Sequence, residues 1–479
     1  MESESKTERE HILMVPFMAQ GHLRPFLELG LLLHSRTHFS ITLLTTPLNA
    51  QYLRQQHHPN TGVRIVELPF NSADHGLPPG IENTSKLPLP LVVSLFHSSS
   101  SLEPHLRNFI SLNFTPTKPP LCIIHDVFFG WVDSVAKSVG STAIAFTTGG
   151  AYGTAAYASI WNELPHRNLS DDHDFPLPGF PDTHRFRRTQ LHRFVRYADG
   201  DDDWSRFFQP QIRLSMGSFG WLCNSVQEIE PLGFQILRNY INLPIWGIGP
   251  LIATPVHIDN ECIQWLSTKQ PDSVLYISFG SQNTVSPTQM MELAAGLESS
   301  EKPFLWVIRA PFGFDINGEM RPEWLPEGFE ERIKEKKQGI LVHKWGPQLE
   351  ILNHKSTGGF LTHCGWNSVL ESLREGVPML GWPLAAEQAY NLKYMEEEMG
   401  VAVEIARGLE GEISKEKAKR IVEMVLEREQ GSKGWEMKNR AVEMGNKLNE
   451  AMKECKGSSI KATDDFLDFI MSKRSKPIG

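Results

Sequence analysis

The 479-residue sequence has only five cysteines, Cys122, Cys223, Cys262, Cys364 and Cys455, scattered and without a CxxC pair. That excludes a disulfide framework and a structural zinc site, and fits reduced thiols. It has no run of 18 uninterrupted apolar residues, so no membrane span is expected. Positive charge is also short: 47 Lys and Arg against 56 Asp and Glu leave a net charge of −9. Broad electrostatic binding to nucleic acid or to an anionic membrane is thereby excluded, and any bound anion must be held by local donors. No apolar h-region follows the hydrophilic segment Met1–Glu10, so a secretory leader is not expected and a cytoplasmic location is. In that setting the sequons at Asn83, Asn113 and Asn168 are chance matches. No GxGxxG follows the first strand and no GxSxG occurs at all. The fingerprints of a nicotinamide-dependent oxidoreductase and of a nucleophile-elbow hydrolase are therefore missing.

What is present is an ordinary globular composition, 40% hydrophobic and 22% charged, in a chain too long for one hydrophobic core. Short apolar runs alternate with amphipathic stretches, the pattern of βαβ units around parallel sheets, so an α/β fold is expected. Strands are predicted at 12–16, 41–44, 64–68, 121–124 and 142–146, with helices near 23–34 and 130–139. The stretch 166–203, rich in Asp, His, Arg and Pro, reads as a long surface excursion, and its DDHD and DDD clusters read as solvated acidic loops. After Ile248-Gly249-Pro250 a polar stretch to Asn260 reads as a linker. A second series of strands follows at 273–278, 304–308, 339–343, 359–362, 379–380 and 401–405, then charge-rich helices from Lys415 onward.

The most informative segment runs from Trp345 to Gln388 and reads WGPQLEILNHKSTGGFLTHCGWNSVLESLREGVPMLGWPLAAEQ. Its polar and aromatic residues gather just past the carboxyl ends of three predicted strands, where open α/β sheets bind ligands. Thr362-His363-Cys364-Gly365 is a strand-to-helix turn, and the helix starting near Trp366 offers unpaired N–H groups to an anion such as a diphosphate. Gly365 permits close backbone approach, and Asn367 and Ser368 add donors in the first turn. Glu371 shares their helix face and can accept hydrogen bonds from a ribose diol. Taken singly, each of these residues is equally well read as a cap or a buried pair; the constellation carries the ligand-binding reading.

This segment resembles, almost position by position, the signature box of plant small-molecule UDP-glycosyltransferases (family 1). Further resemblance, at Asn224–Glu230, Trp246–Leu251 and Trp265-Leu266, extends over nearly the whole chain. The resemblance implies a GT-B architecture, two Rossmann-like domains facing across a cleft. They are expected at 1–250 (acceptor) and 261–455 (donor), with a linker at 251–260 and a helix within 456–479 that packs back towards the first domain. It implies that Trp345 stacks on uracil and Gln348 bonds the nucleoside. His363, Asn367 and Ser368 hold the diphosphate, Glu371 the ribose, and Glu387 and Gln388 the sugar hydroxyls. A terminal Gln goes with glucose in that family, and Trp366 suits a neutral sugar, so UDP-glucose is the expected donor. Ser281, in Phe279-Gly280-Ser281, resembles a phosphate-contacting serine, and Thr148 a sugar-contacting residue. The resemblance also implies no metal and no cofactor beyond the donor.

Displacing UDP by an alcohol requires a base, for which histidine has a suitable pKa. His22, in Met18-Ala19-Gln20-Gly21-His22, follows the first strand at the start of a helix, whose positive end disfavours imidazolium. Asp126, at the end of another strand, is positioned to orient it. From pattern alone a helix-capping His and a strand-end Asp are commoner than a dyad. Resemblance to the family's motifs, GH with xxP at Gly21–Pro25 and Asp126 followed by Phe129 and Trp131, favours the dyad. His125, beside Asp126, leaves open which histidine pairs with the carboxylate. The displacement implies inversion to a β-glycoside. Phe17, Phe128, Phe129, Phe146, Tyr152, Phe207 and Phe208 are candidates to line a pocket for a flat, apolar, hydroxylated acceptor, phenolic or terpenoid. A monomer is expected. The alternative is a nucleotide-sugar-binding protein without catalysis, against which the intact His22 and Asp126 stand.

Overall fold

Runs such as HILMV and CIIHD carry apolar residues at consecutive positions, which suits strands covered on both faces. In the computed structural model, which describes residues 9–56, 62–87, 89–171, 173–254, 260–316, 318–343 and 345–474, these runs are the central strands of a seven-stranded parallel sheet. Its members are β1 (His11–Val15), β2 (Ser40–Thr45), β3 (Val63–Glu67), β4 (Cys122–Asp126), β5 (Thr142–Thr147), β6 (Trp221–Cys223) and β7 (Ile245–Gly247). They lie in the order β3-β2-β1-β4-β5-β6-β7. A second, six-stranded parallel sheet is formed by β8 (Val274–Ser278), β9 (Phe304–Ile308), β10 (Gly339–His343), β11 (Thr357–Thr362), β12 (Met379–Gly381) and β13 (Ala402–Glu404), in the order β10-β9-β8-β11-β12-β13. Both sheets are doubly wound, and the strand order reverses between β1 and β4 in one and between β8 and β11 in the other. Ligands bind at such reversals, beyond the carboxyl ends of the strands.

The expected strands are all present. β6 and β7 were not anticipated, and at three residues each they are too short to carry a period. The stretch 166–203 departs from a surface excursion. It forms a small antiparallel pair, Asp174–Phe175 with Phe186–Arg187, and buries Phe175, Leu177, Phe186, Leu191 and Val195. Phe186 meets Tyr390 from the other half of the chain at 5.9 Å between ring centroids. Single apolar residues spaced among polar ones leave no periodic trace, which is why this packing was not legible. The DDD cluster is local structure: Asp202 caps the helix Asp203–Ser215 through the Trp204 and Ser205 N–H groups. In the DDHD cluster Asp174 pairs with Arg187 at 2.8 Å, and Asp172 lies outside the described residues.

Residues 255–259 of the expected linker also lie outside the described residues, as do 475–479. The last helix, Ser458–Arg474, returns to the first sheet, where Phe466 and Ile470 join Ile12 and Met14 in one core and Phe466 packs edge-on to Trp246. Arg36 fixes it through Asp464 at 2.7 Å.

Candidate active site

The carboxyl edges of the two sheets enclose a cleft of about 910 Å³. On the first wall, the turn after β1 leads into α1 (Gln20–Arg36), which places His22 in its first turn. β1 and β4 are adjacent, with Val15 opposite His125, so residues just past the end of one strand meet the end of the other. His22 Nδ1 lies 2.7 Å from Asp126 Oδ2. Asp126 is fully buried, and its second oxygen accepts the Phe128 N–H at 3.0 Å. The neighbouring His125 is engaged elsewhere, with the Asp126 carbonyl at 3.0 Å and Ser218 Oγ at 3.2 Å, so His22 is the partner of the carboxylate. Thr148 Oγ1, past β5, is 3.4 Å from His22 Nδ1.

Burial is the largest single influence on His22 and pushes its pKa down. The charge of Asp126, the hydrogen bond to it and the charge of Glu387 together outweigh burial and raise the pKa above 6.5. The expectation of a base kept neutral by the helix end is thus corrected: the buried carboxylate sets the direction.

The second wall begins with His363, which follows β11. The next residue, Cys364, has a left-handed φ of 65°, a conformation costing on the order of 1 kcal/mol for a non-glycine residue. The turn is held by the Asn391 amide, which donates to the Cys364 carbonyl at 3.0 Å. The His363 ring lies in a slot between two glycines. A Cβ at Gly280 (φ 77°) would come within 2.8 Å of the ring, and one at Gly365 within 2.5 Å. Burial lowers the His363 pKa to about 4, and its Nδ1 is buried without a partner. It is therefore a neutral imidazole facing the cleft. Ser281 also lines the cleft, and its carbonyl accepts Arg309 Nη1 at 2.7 Å.

From Gly365 starts α2 (Trp366–Arg374). Gln348 donates to Ser368 Oγ at 3.1 Å and to Glu371 Oε2 at 2.5 Å, and accepts from Tyr276 Oη at 3.1 Å. Burial raises the Glu371 pKa. Trp345 stands beside this network with 67% of its surface exposed. At the other end, Gln388 uses its amide oxygen to accept the Leu384 and Ala385 N–H groups at 2.9 and 2.8 Å, which leaves its NH₂ as the group offered to the cleft. Glu387 accepts from Asn391 at 3.2 Å. Two box residues join the walls. Trp366 is buried, donates to the Asn224 carbonyl at 2.7 Å and rests on Gly150, where a Cβ would approach the indole to 2.9 Å. Asn367 donates to the Gly21 carbonyl at 2.9 Å, and its Oδ1 is buried without a partner.

The aromatic expectation needs correction. Of the seven candidates only Phe128 lines the cleft, while Phe17, Phe129, Phe146, Tyr152, Phe207 and Phe208 are buried in the core. Tyr157, which the sequence did not single out, joins Phe128 there at 6.0 Å between centroids. Arg24, Tyr276 and Arg309 were also missed. Among the described residues no helix is long and apolar enough to cross a membrane.

Two doubly wound sheets facing across a cleft, with a histidine–carboxylate pair on one wall and a strand-to-helix turn suited to a phosphate on the other, define a transferase of the GT-B class. The sequence model of the UDP-glucoronosyl and UDP-glucosyl transferase family matches residues 249–434. UDP-glycosyltransferase 92A1 of Arabidopsis thaliana is 40% identical, covering 98% of this chain and 99% of its own. Crocetin glucosyltransferase 3 of Crocus sativus is 45% identical over 88% of this chain and 92% of its own. The structure of Phytolacca americana UGT2 complexed with UDP-2fluoro-glucose and pterostilbene superimposes with a TM-score of 0.78 at 28% identity, covering 98% of this chain and all of that one. The chain belongs to the plant family 1 UDP-glycosyltransferases, enzymes that use a UDP-sugar donor.

Proposed function

We propose that this enzyme transfers glucose from UDP-glucose to a hydroxyl of a small apolar acceptor, phenolic or terpenoid, with inversion to the β-glucoside. The observation that carries the chemistry is the 2.7 Å pairing of His22 Nδ1 with the buried Asp126 carboxylate. With Nδ1–H donated to Asp126, Nε2 is the basic nitrogen. It takes the acceptor hydroxyl proton as that oxygen bonds to C1 of the sugar. The C1–phosphate bond breaks with its electron pair leaving on UDP, and Asp126 stabilises the imidazolium that forms. No covalent enzyme intermediate is involved.

In this reading the neutral His363, the α2 N-terminus with Asn367 and Ser368, and Ser281 meet the diphosphate, and no metal takes part. Gly365 admits it closely, Glu371 and Gln348 take the nucleoside, and Trp345 stacks on uracil. Glu387 and the free NH₂ of Gln388 read the sugar, with Thr148 and Trp366 at its border. Glucose is supported by Gln388 at the end of the box and by the name of the Crocus relative. An apolar acceptor is supported by Phe128, whose ring centre is 5.6 Å from that of His22, and by Tyr157 next to Phe128 on the cleft.

The test is mass spectrometry of products from UDP-glucose with pooled phenols and terpenoid alcohols, with EDTA present, for the wild type and His22→Ala. A hexose gain of mass in the wild type, lost in the variant while UDP still binds, is expected. Full activity in the variant would remove His22 as base. Transfer only from another UDP-sugar would overturn glucose, and binding without transfer to any acceptor would favour the non-catalytic alternative.

A further inference from the structure

The cleft is lined by more acidic than basic side chains. Four carboxylates line it, Glu28, Glu350, Glu371 and Glu387, against two guanidiniums, Arg24 and Arg309. A UDP-sugar brings a dianionic diphosphate, and further negative charge develops on it as the bond to the sugar breaks. So acidic a cleft must place its cations where that charge appears. Arg309 is committed to the second wall through the Ser281 carbonyl.

Arg24 is different in origin and in surroundings. It lies two residues past His22 on α1, lines the cleft, and among the described residues makes no hydrogen bond or ion pair. Its neighbours along the cleft wall are Leu27, Glu28, Tyr52 and Gln56. Its charge nonetheless reaches across: after burial, which raises the Glu371 pKa, and the Gln348 hydrogen bond, which lowers it, Arg24 is the next influence and lowers it. Glu371 is on α2, on the opposite wall, and both residues line the same cleft. Arg24 thus brings to the cleft, from the first wall, a cation whose charge also acts, against burial, to lower the pKa of Glu28 one turn on but which forms no ion pair among the described residues.

We propose that Arg24 is a donor-binding residue supplied by the first domain, whose guanidinium takes the ribose and diphosphate oxygens of the UDP-sugar from the side opposite Glu371. Donor binding thereby draws α1, and with it His22, onto the sugar. The proposal rests on the donor-site reading above and deepens it. An Arg suits the task because its planar fork can grip two oxygens at once, whereas a Lys supplies charge alone.

The experiment is titration calorimetry of the full-length wild type, Arg24→Gln and Arg24→Lys with UDP at low and high salt, alongside KM for UDP-glucose and for a phenolic acceptor. Arg24→Gln should raise the UDP Kd and the donor KM about tenfold at low salt and flatten their salt dependence. Arg24→Lys should recover part of the loss, while acceptor KM and Tm stay near wild type. An unchanged UDP Kd in Arg24→Gln would overturn the proposal. So would a loss equal at both salt concentrations, with Lys no better than Gln. A wild type that does not bind UDP would instead refute the donor-site reading beneath it.

Discussion

Replacing Asp126 by Asn keeps the shape of the side chain and removes its charge, and so tests the dyad at one atom. In the wild type the carboxylate does two things to His22. It fixes the tautomer through the 2.7 Å bond, and it raises the pKa against burial, which acts downward. A hydrogen bond to a charged partner contributes about 1.5–3 kcal/mol against about 1 kcal/mol for a neutral one, so the imidazolium formed in the transition state loses about 0.5–2 kcal/mol. Misoriented rings add to that, because the Asn amide can present its NH₂ to Nδ1. The lost charge lowers kcat/KM by about 2- to 30-fold, and misorientation lowers it further.

The pH profile gives a second and independent readout. With His22 as the proposed base, which must be neutral, kcat/KM should rise with pH through the His22 pKa, which in the wild type is raised, against burial, by the Asp126 charge. Without the Asp126 charge, burial dominates and the pKa falls, so the acid limb of the variant moves to lower pH even as its plateau drops. Initial rates of glucoside formation from about pH 5 to pH 9, read by chromatography, measure both. A variant with wild-type rate, or with a reduced rate but an acid limb in the same place, would refute the assignment of Asp126 to His22.

Other outcomes follow from the second wall. Glu371→Ala removes the acceptor of a 2.5 Å bond from Gln348 and should raise the donor KM roughly tenfold, with kcat at saturating donor much less affected, as steady-state kinetics will reveal. Gly280→Ala should weaken UDP binding and lower the Tm, because its φ of 77° is left-handed and the new methyl would meet the His363 ring at 2.8 Å; calorimetry and thermal melts read the two effects. Phe128→Ala should raise the KM of an apolar acceptor while leaving the donor KM within about twofold of wild type; equal changes in both would separate Phe128 from acceptor binding.

The sheets were legible because strands buried on both faces keep apolar residues at consecutive positions, as in Ile12–Val15 and Phe304–Ile308. The box residues were legible as a group because strand-to-helix turns of neighbouring parallel strands open on one edge, so residues far apart in the chain converge. The aromatic lining of the first wall was read poorly. An aromatic near a strand end looks the same in sequence whether it faces the core, as Phe129 and Phe146 do, or the cleft, as Phe128 does. Arg24 had no signal either, since one charged residue on an amphipathic helix normally marks a solvated face. The glycine slot around His363 is a tertiary fact: Gly280 and Gly365 lie 85 residues apart in sequence, and only the packing reveals that both make room for one ring.

The junction of the two walls gives a motif in α1 a physical purpose. An α-helical N–H normally bonds the carbonyl four residues earlier, but Pro25 has none, so the Gly21 carbonyl lacks its helical donor. Asn367, from α2 on the other wall, supplies one at 2.9 Å. The missing proton of Pro25 therefore leaves an acceptor one residue from His22 for the second wall, tying the start of α1 to α2. Pro25→Ala restores the competing N–H, after which the Asn367 bond is no longer needed to satisfy Gly21. Coupling between Pro25→Ala and Asn367→Ala in a double-mutant cycle on kcat/KM should accordingly be about 1 kcal/mol, the second change costing less once the first is made. Strictly additive effects would mean that Asn367 acts on the donor alone and that the bond to Gly21 contributes nothing to the alignment of His22.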